Sequence, residues 1–115
     1  MKRFSLGKEE KLLNPQEFKR VIHKGESQRT EHFEIFIFPN HIKKQRLGIT
    51  TSKKIGTAVK RNRLKRLLRE FFRLHKAYLP TSSDTLFIAK PGADRLSYSG
   101  LYEELRFLLR PDSPL

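Results

Sequence analysis

One stretch of the chain, residues 53–76, is both strongly basic and patterned as a helix. It holds ten of the 25 lysines and arginines and a single acid, Glu70, so it carries nine of the thirteen formal net positive charges. Its apolar residues recur at the i, i+3, i+4, i+7 spacing of one helix face, as Leu64, Leu67, Leu68 and Phe71. We therefore predict a basic helix with a stripe of donors away from its apolar face: Lys65, Arg69, Arg73 and Lys76, with Asn62 and Arg66 nearby.

The start of this basic helix carries its own signals. Gly56 breaks the preceding segment, and Thr57 is the predicted N-cap. A helix N-terminus attracts phosphate through its unpaired N–H groups. Arg61 and Arg63 project about 200° apart and present donors to more than one side. A basic helix face is often only solvated surface, but the charge density here favours a surface that binds a polyanion.

The whole chain has the composition of a small nucleic-acid-binding protein. With 115 residues and 37% hydrophobic content, we expect one domain with a modest core. The pI near 10.4 implies an anionic partner, nucleic acid before an anionic membrane. The absence of cysteine excludes thiolate sites and fits a cytoplasmic location. The sequence has neither a signal-peptide pattern nor an apolar run of the ~20 residues that span a bilayer.

The sequence contains no recognisable catalytic or metal-binding motif. The four histidines are dispersed without ligand spacing. His32 and Glu34 share a predicted strand face, but two groups do not make a metal site. The carboxylate doublets 9–10 and 103–104 are sequence neighbours, whose side chains diverge. The residues therefore predict a binding protein that is not an enzyme in its own right.

The first half of the chain predicts an arm, a helix and two strands. Residues 1–13 form the predicted flexible basic arm. A helix begins at Asn14-Pro15 and stops at Gly25, and Phe18, Val21 and Ile22 form its apolar face. Residues 28–39 alternate as a strand. Phe36 lies on the partly polar face of this strand. Two roles are open for it: a stacking platform for an unpaired base, or a side chain that packs beneath the first helix.

The second half completes an α+β pattern. Residues 46–52 predict a strand antiparallel to the first, because the connection between them is short. After the basic helix, residues 84–89 are nearly continuous in apolar character and predict a central strand. A last helix starts at Ser97 or Ser99 and continues to Pro111, with a buried leucine face at positions 101, 105, 108 and 109. The order predicts a single-domain α-β sandwich around a small mixed sheet.

The run S-K-K-I-G-T-A-V-K-R-N-R-L-K-R-L-L-R-E, residues 52–70, resembles the signature of the bacterial ribonuclease P protein subunit. The core of that signature is S-K-K-x-G-x-A-V-x-R-N-R-x-K-R. Residues 14–22 are similar to the family's first helix, residues 33–36 to an aromatic-bearing strand, and residues 88–91 to the last strand. Ile22 and Phe36 stand where family members often carry other aromatics.

The resemblance implies a fold and a function. The fold has the same element order, with a left-handed crossover through the basic helix, and is similar to the second domain of the fifth small-subunit ribosomal protein. The family's protein joins a catalytic RNA, and the holoenzyme cuts precursor tRNA to free the mature 5′ end. The RNA and its Mg²⁺ ions supply the chemistry. No metal held by the protein, no membrane and no obligate protein partner is implied.

Two sets of residues receive roles by position in the family's motifs. The resemblance implies contacts with the catalytic RNA for Lys60, Arg61, Asn62, Arg63, Lys65, Arg66 and Arg69. It implies contacts with the single-stranded 5′ leader, in a groove between first helix and sheet, for Phe18, Ile22, Phe36, Lys53, Lys54 and Lys90. Arginine suits RNA contacts because its planar fork matches phosphate oxygens and stacks on bases.

Other functions remain open on the sequence. A ribosomal-type protein or an RNA chaperone would bind structured RNA but would not stimulate leader removal. A nucleoid-type DNA binder would prefer duplex DNA and use a minor-groove arm. A membrane-active helix fits least well, because the Phe and Leu residues belong to a globular pattern.

Overall fold

The computed structural model describes residues 15–109, which form three α-helices and a four-stranded sheet. In chain order the elements are α1 (Pro15–Lys24), β1 (Glu26–Arg29), β2 (Phe33–Pro39), β3 (Arg46–Thr50), α2 (Ala58–Leu74), β4 (Ser83–Ala89) and α3 (Tyr98–Leu105). Short 3₁₀ turns flank α2 and α3, at Lys53–Ile55, Lys76–Tyr78, Ala93–Arg95 and Arg106–Leu108. The predicted α+β architecture is confirmed. The predicted arm and the Asn14 cap lie outside the described residues.

The sheet is mixed, with the strand order β1-β2-β4-β3. β2 pairs antiparallel with β1 and β4, and β3 pairs parallel with β4 across the connection through α2. β4 is central, as predicted, and only Ile88 in it is partly exposed. The hand of the crossover stays a prediction.

β3 runs antiparallel to β2, as predicted, but the two strands do not pair, because β4 lies between them. After β2, the Asn40 N–H donates to the Ser82 carbonyl at 2.8 Å. The Asn40 side chain donates to Asp84 Oδ1 at 2.7 Å. The short connection therefore passes beside the start of β4 and does not close a hairpin.

The predicted strand over residues 28–39 is in fact two strands joined by a tight turn. β1 and β2 pair from Glu26 opposite Ile37 to Arg29 opposite Glu34. The Thr30 N–H closes the turn on the Phe33 carbonyl at 2.8 Å. The turn contains no Gly, Pro, Asn or Asp, so the sequence offers no signal at which to divide the strand. All four residues of β1 are exposed, and β1 is one edge of the sheet.

One face of the sheet packs against α2 and α3. Its buried strand residues are Phe33, Ile35, Leu47, Phe87 and Ala89, and the helices add Leu64, Leu68, Phe71, Phe72, Leu101 and Leu105. The predicted apolar face of the basic helix is thus confirmed, with Leu67 partly buried. Phe72 is also buried, because α2 has the sheet on one side and α3 on the other. No helix in the described part of the chain is long and apolar enough to cross a membrane.

The opposite face of the sheet packs against α1. Val21 is fully buried with Phe36 and Leu86, and Phe18 packs against this cluster. Gly25 ends α1, where an added Cβ would lie 2.6 Å from the Val21 carbonyl oxygen. Only glycine fits such a close backbone approach, so the predicted end of this helix is confirmed.

Arg46 joins α1 to two strands through charge-assisted hydrogen bonds. Its Nε and Nη2 donate to the two carboxylate oxygens of Asp84 at 2.8 and 2.9 Å. Its Nη1 donates to Glu17 Oε2 on α1 at 2.6 Å. Hydrogen bonding to Asp84 raises the pKa of Arg46, burial opposes it, and the bond to Glu17 raises it further. Asp84 is 1% exposed, and a buried carboxylate needs such a bidentate partner to offset the loss of hydration.

Glu104 of α3 holds the turn between β1 and β2. Its carboxylate accepts hydrogen bonds from Thr30 Oγ1 and from the His32 N–H, the latter at 2.8 Å, and contacts His32 Nδ1 at 2.6 Å. Burial alone would raise the pKa of Glu104, but the hydrogen bonds from Thr30 and His32 outweigh it and lower the pKa. His32 is therefore part of a structural contact between the hairpin and α3.

We predict that Arg46→Met lowers the free energy of unfolding by about 3 kcal/mol or more, because it leaves the Asp84 carboxylate buried without its cationic partner. Methionine keeps most of the aliphatic stem, so the loss reports on the charge. Urea unfolding measures the effect. Arg29→Met is the matched control, because Arg29 pairs with Glu34 at 3.2 Å on an exposed surface and should cost less than about 1 kcal/mol. Equal losses for the two variants would contradict the role of Arg46.

We predict that Glu104 stabilises the fold above its unfolded pKa and that this contribution is lost in acid. The folded pKa lies below the ordinary value of 4.5, so protonation on lowering the pH through the folded pKa removes the contribution. Urea unfolding at a series of pH values should show wild type more stable than Glu104→Gln at neutral pH, with the difference shrinking below about pH 4.5. For the exposed neighbour Glu103, the Glu103→Gln difference should be small throughout. A Glu104→Gln difference that does not change with pH would contradict the prediction.

Candidate nucleic-acid interface

The segment before α2 consists of a capped 3₁₀ turn, a glycine with positive φ and the N-cap of the helix. Ser52 caps the 3₁₀ turn Lys53–Ile55 by accepting from the Lys54 N–H at 3.3 Å, and Ile55 is buried beneath it. Gly56 has φ of +148°, a conformation that favours glycine. Thr57 caps α2, as predicted, by accepting from the Lys60 N–H at 3.3 Å. Lys53 and Lys54 are exposed in this segment.

Residues 60–69 of α2 present cations that have no acidic partner among the described residues. Within residues 15–109, no carboxylate lies within ion-pair distance of Lys60, Arg61, Arg63, Lys65, Arg66 or Arg69. The one acid of α2, Glu70, pairs with Arg73 toward the end of the helix at 2.9 Å. The positive potential is therefore concentrated at the N-terminal half of α2, where the helix dipole adds to it.

The structure shortens the predicted basic stripe. Lys76 lies beyond α2, in the 3₁₀ turn Lys76–Tyr78, and Arg73 is engaged with Glu70. Lys65 and Arg69 remain together on one side of the helix, with Asn62 and Arg66 exposed beside them.

Arg61 and Arg63 lie on different sides of α2, as predicted, and their surroundings differ. Arg63 Nη1 donates to the carbonyl of Asp94 at 3.2 Å, which ties α2 to the turn Ala93–Arg95. Arg61 has a buried Nε without a hydrogen-bond partner among the described residues. A guanidinium offers five N–H donors, so both arginines retain donors for a further partner.

Three predicted leader-binding lysines gather at one edge of the sheet. β3 and β4 are parallel, so their carboxyl ends meet at the same edge, where Lys53 and Lys54 follow β3 and Lys90 follows β4. Lys90 Nζ donates to the Thr30 carbonyl at 2.8 Å. An ammonium has three donors, so this contact positions Lys90 and leaves it able to bind an anion.

The predicted aromatic and aliphatic groove residues lie on or beneath α1. Phe36 is 7% exposed and packs under α1, which is the packing arrangement left open on the sequence. Phe18 is partly exposed, and Ile22 is 41% exposed one turn further along. The structure thus places Phe18 and Ile22 at the surface and covers Phe36. The roles of all three in leader binding stay predictions.

Strand register identifies three further residues between α1 and the lysine edge. On the sheet face that carries Phe36 and Leu86, the next row toward that edge is Glu34, Ile88 and Thr50. All three are partly exposed, so they form an open floor beside α1. The sequence does not group them, because that requires the pairing of β4 with both β2 and β3.

The described residues show no centre for metal chemistry. From residue 15 to residue 109, no three His, Asp or Glu side chains cluster in a way that could hold a metal ion. The Asp84 and Glu104 carboxylates accept hydrogen bonds from Arg46 and His32 of this chain. The arrangement is suited to binding an extended anion.

Comparison with known proteins agrees with this chemistry. The family model described as Ribonuclease P matches residues 6–111. A relative from Syntrophus aciditrophicus, named Ribonuclease P protein component, is 41% identical over 109 residues, which is 95% of this chain and 92% of the relative. The Ribonuclease P protein component of Desulfovibrio desulfuricans is 40% identical over 114 residues, 96% of this chain and 88% of the relative.

Solved structures agree with the sequence matches. The RNase P protein from Staphylococcus aureus superposes with a TM-score of 0.79 at 32% identity, covering 86% of this chain and 91% of that one. The RNase P protein from Thermotoga maritima also has a TM-score of 0.79, at 30% identity, covering 91% and 99%. Since the family model spans nearly the whole sequence and the folds coincide, the chain belongs to the ribonuclease P protein family.

Proposed function

We propose that this protein is the protein subunit of a ribonuclease P holoenzyme. In this role it binds the catalytic RNA and the single-stranded 5′ leader of precursor tRNA, and so supports endonucleolytic release of the mature tRNA 5′ end. The RNA subunit and its Mg²⁺ ions carry out the hydrolysis. The protein contributes binding and orientation, which act on the reaction by holding substrate and catalyst together.

The observation that carries this proposal is the basic segment of α2, residues 60–69. Its six cations have no carboxylate partner within the described residues, in a chain whose relatives are named Ribonuclease P protein component. Unpaired cations on a rigid helix repel one another and gain most from a polyanion, whose binding also releases counterions. The catalytic RNA is the proposed polyanion.

A second surface is proposed for the leader. Its floor is the row Glu34, Ile88 and Thr50, one wall is α1, and its far edge carries the three lysines. A single strand fits such a surface because its phosphates can follow the cations while its unstacked bases meet partly apolar side chains. Phe18 and Ile22 of α1 are the exposed candidates for base contact, whereas Phe36 would act by supporting α1 from below.

We predict that the protein strongly stimulates correct 5′ cleavage of a precursor tRNA by a bacterial ribonuclease P RNA at low Mg²⁺ concentration. The reason is that protein cations replace part of the screening that Mg²⁺ otherwise provides. The measurement compares RNA alone, protein alone and the two together. Protein alone should not cleave. Stimulation should be weaker for a precursor whose leader is too short to reach the α1 groove.

Absence of stimulation together with intact RNA binding would contradict the proposal. It would indicate a ribosomal-type or chaperone function instead. Preference for duplex DNA over structured RNA would also contradict it.

We predict that Arg66→Ala lowers the salt dependence of RNA binding by roughly 0.7–0.9 in log–log slope, the value for one lost phosphate contact. Its free energy of unfolding should stay unchanged, because Arg66 has no hydrogen-bond or ion-pair partner among the described residues. Arg63→Ala should reduce both the slope and the stability, since Arg63 also binds the Asp94 carbonyl. Filter binding over a salt series and urea unfolding measure the two effects.

The control for this series is Arg106→Ala, which removes the same charge from the end of α3. Arg106 lies outside α2 and pairs with Glu103 at 3.6 Å, so its slope should match that of wild type. A common change in slope for Arg66→Ala and Arg106→Ala would mean that only net charge matters.

A further inference from the structure

Val59, in the first turn of α2, is the most exposed large apolar side chain of the described residues. Its exposed fraction is 79%, whereas those of the other exposed large apolar residues lie between 41% and 50%: Ile22, Ile42, Leu74 and Phe107. Lone apolar side chains on a surface are common and indicate nothing by themselves. The position of Val59 among its neighbours is what distinguishes it.

Val59 lies within the cationic face of α2. Residues three, four and seven positions further along an α-helix share its side, and here these are Asn62, Arg63 and Arg66. Asn62 and Arg66 are exposed, and Arg63 is partly exposed. Val59 is therefore an apolar surface surrounded by hydrogen-bond donors with no acidic partner.

Folding does not account for valine at this position. A β-branched residue has a lower helix propensity than alanine. A side chain that is 79% exposed also recovers little from burial. An apolar side chain here would gain if a partner covered it.

We propose that Val59 packs against an apolar part of the partner RNA, the face of an unstacked base or a ribose, while Arg63 and Arg66 bind the adjoining phosphates. This inference rests on the proposed function and adds a contact that charge alone does not supply. Cations bind any phosphate backbone, including that of a regular duplex. An apolar contact needs an unstacked base or an open ribose, so it favours an irregular, single-stranded junction of a folded RNA.

The two kinds of contact also reinforce each other. Covering Val59 excludes water from the space beside Arg63 and Arg66. Attraction between a guanidinium and a phosphate is stronger where water is excluded. Val59 would thus contribute to affinity and to discrimination between folded RNA and duplex.

The test measures binding of the full chain to a bacterial ribonuclease P RNA over a salt series. Val59→Ala should weaken binding about fivefold to tenfold at every salt concentration, with an unchanged slope, because lost apolar contact releases no counterions. Alanine has the higher helix propensity, so unfolding cannot cause this loss. Leu74→Ala, at the other end of α2, is the matched control and should bind as wild type does.

Val59→Lys gives the sharper result, because a purely electrostatic surface and an apolar contact predict opposite changes in RNA affinity. On a purely electrostatic surface, an added lysine would tighten binding and steepen the salt slope. If Val59 packs against a base or ribose, Val59→Lys should weaken binding at every salt concentration despite its extra charge.

Each other outcome overturns the inference. If Val59→Ala binds as wild type does and Val59→Lys binds more tightly, Val59 is a lone surface side chain and the proposed function is untouched. If Val59→Ala instead reduces self-association in sedimentation while RNA affinity is unchanged, a second copy of the chain covers Val59. If wild type itself does not bind the RNA, the proposed function fails together with the inference.

Discussion

The parallel pairing of β3 with β4 determines where the other elements lie. Parallel neighbours cannot be joined by a tight turn, so the chain must cross a face of the sheet between them. That crossing is α2, and its apolar side covers Phe33 and Phe87. The same pairing brings the carboxyl ends of both strands to one edge, where Lys53 and Lys90 follow them. One backbone arrangement therefore creates both the cationic helix and the lysine edge.

Three carboxylates of the described residues, those of Glu17, Asp84 and Glu104, hold elements of the fold together. Asp84 and Glu17 bind Arg46 and fasten α1 to the sheet. Glu104 fastens the first hairpin to α3, and Glu70 binds Arg73 within α2. Acids placed in this way stabilise the fold and stay away from the first turns of α2. The distribution of internal ion pairs thus determines where positive charge remains for a partner.

Local signals in the sequence predict α1 and α2 well and the sheet only in part. The last helix is predicted too long, because α3 ends at Leu105 and a 3₁₀ turn follows it. The Thr57 cap, the stop at Gly25 and the central position of β4 follow from residue chemistry, and the structure confirms them. The position of β3 could not be predicted, because a short connection resembles a hairpin unless the later strand is known to insert. The spacing of apolar residues in the basic helix predicts which of its side chains are buried and which are exposed. The floor beside α1 depends on strand register, and burial of Phe36 depends on packing, neither of which periodicity contains.

The polar edge strand β1 affects how the protein alone can associate with other molecules. An unpaired strand edge can pair with the edge of another molecule and extend a sheet between chains. Here every side chain of that edge is exposed, and its ends are the charged residues Glu26 and Arg29. Charged side chains on an edge strand oppose such pairing between molecules. The exposed, charged edge strand therefore disfavours pairing between the sheets of two molecules, through four residues that take no part in the core.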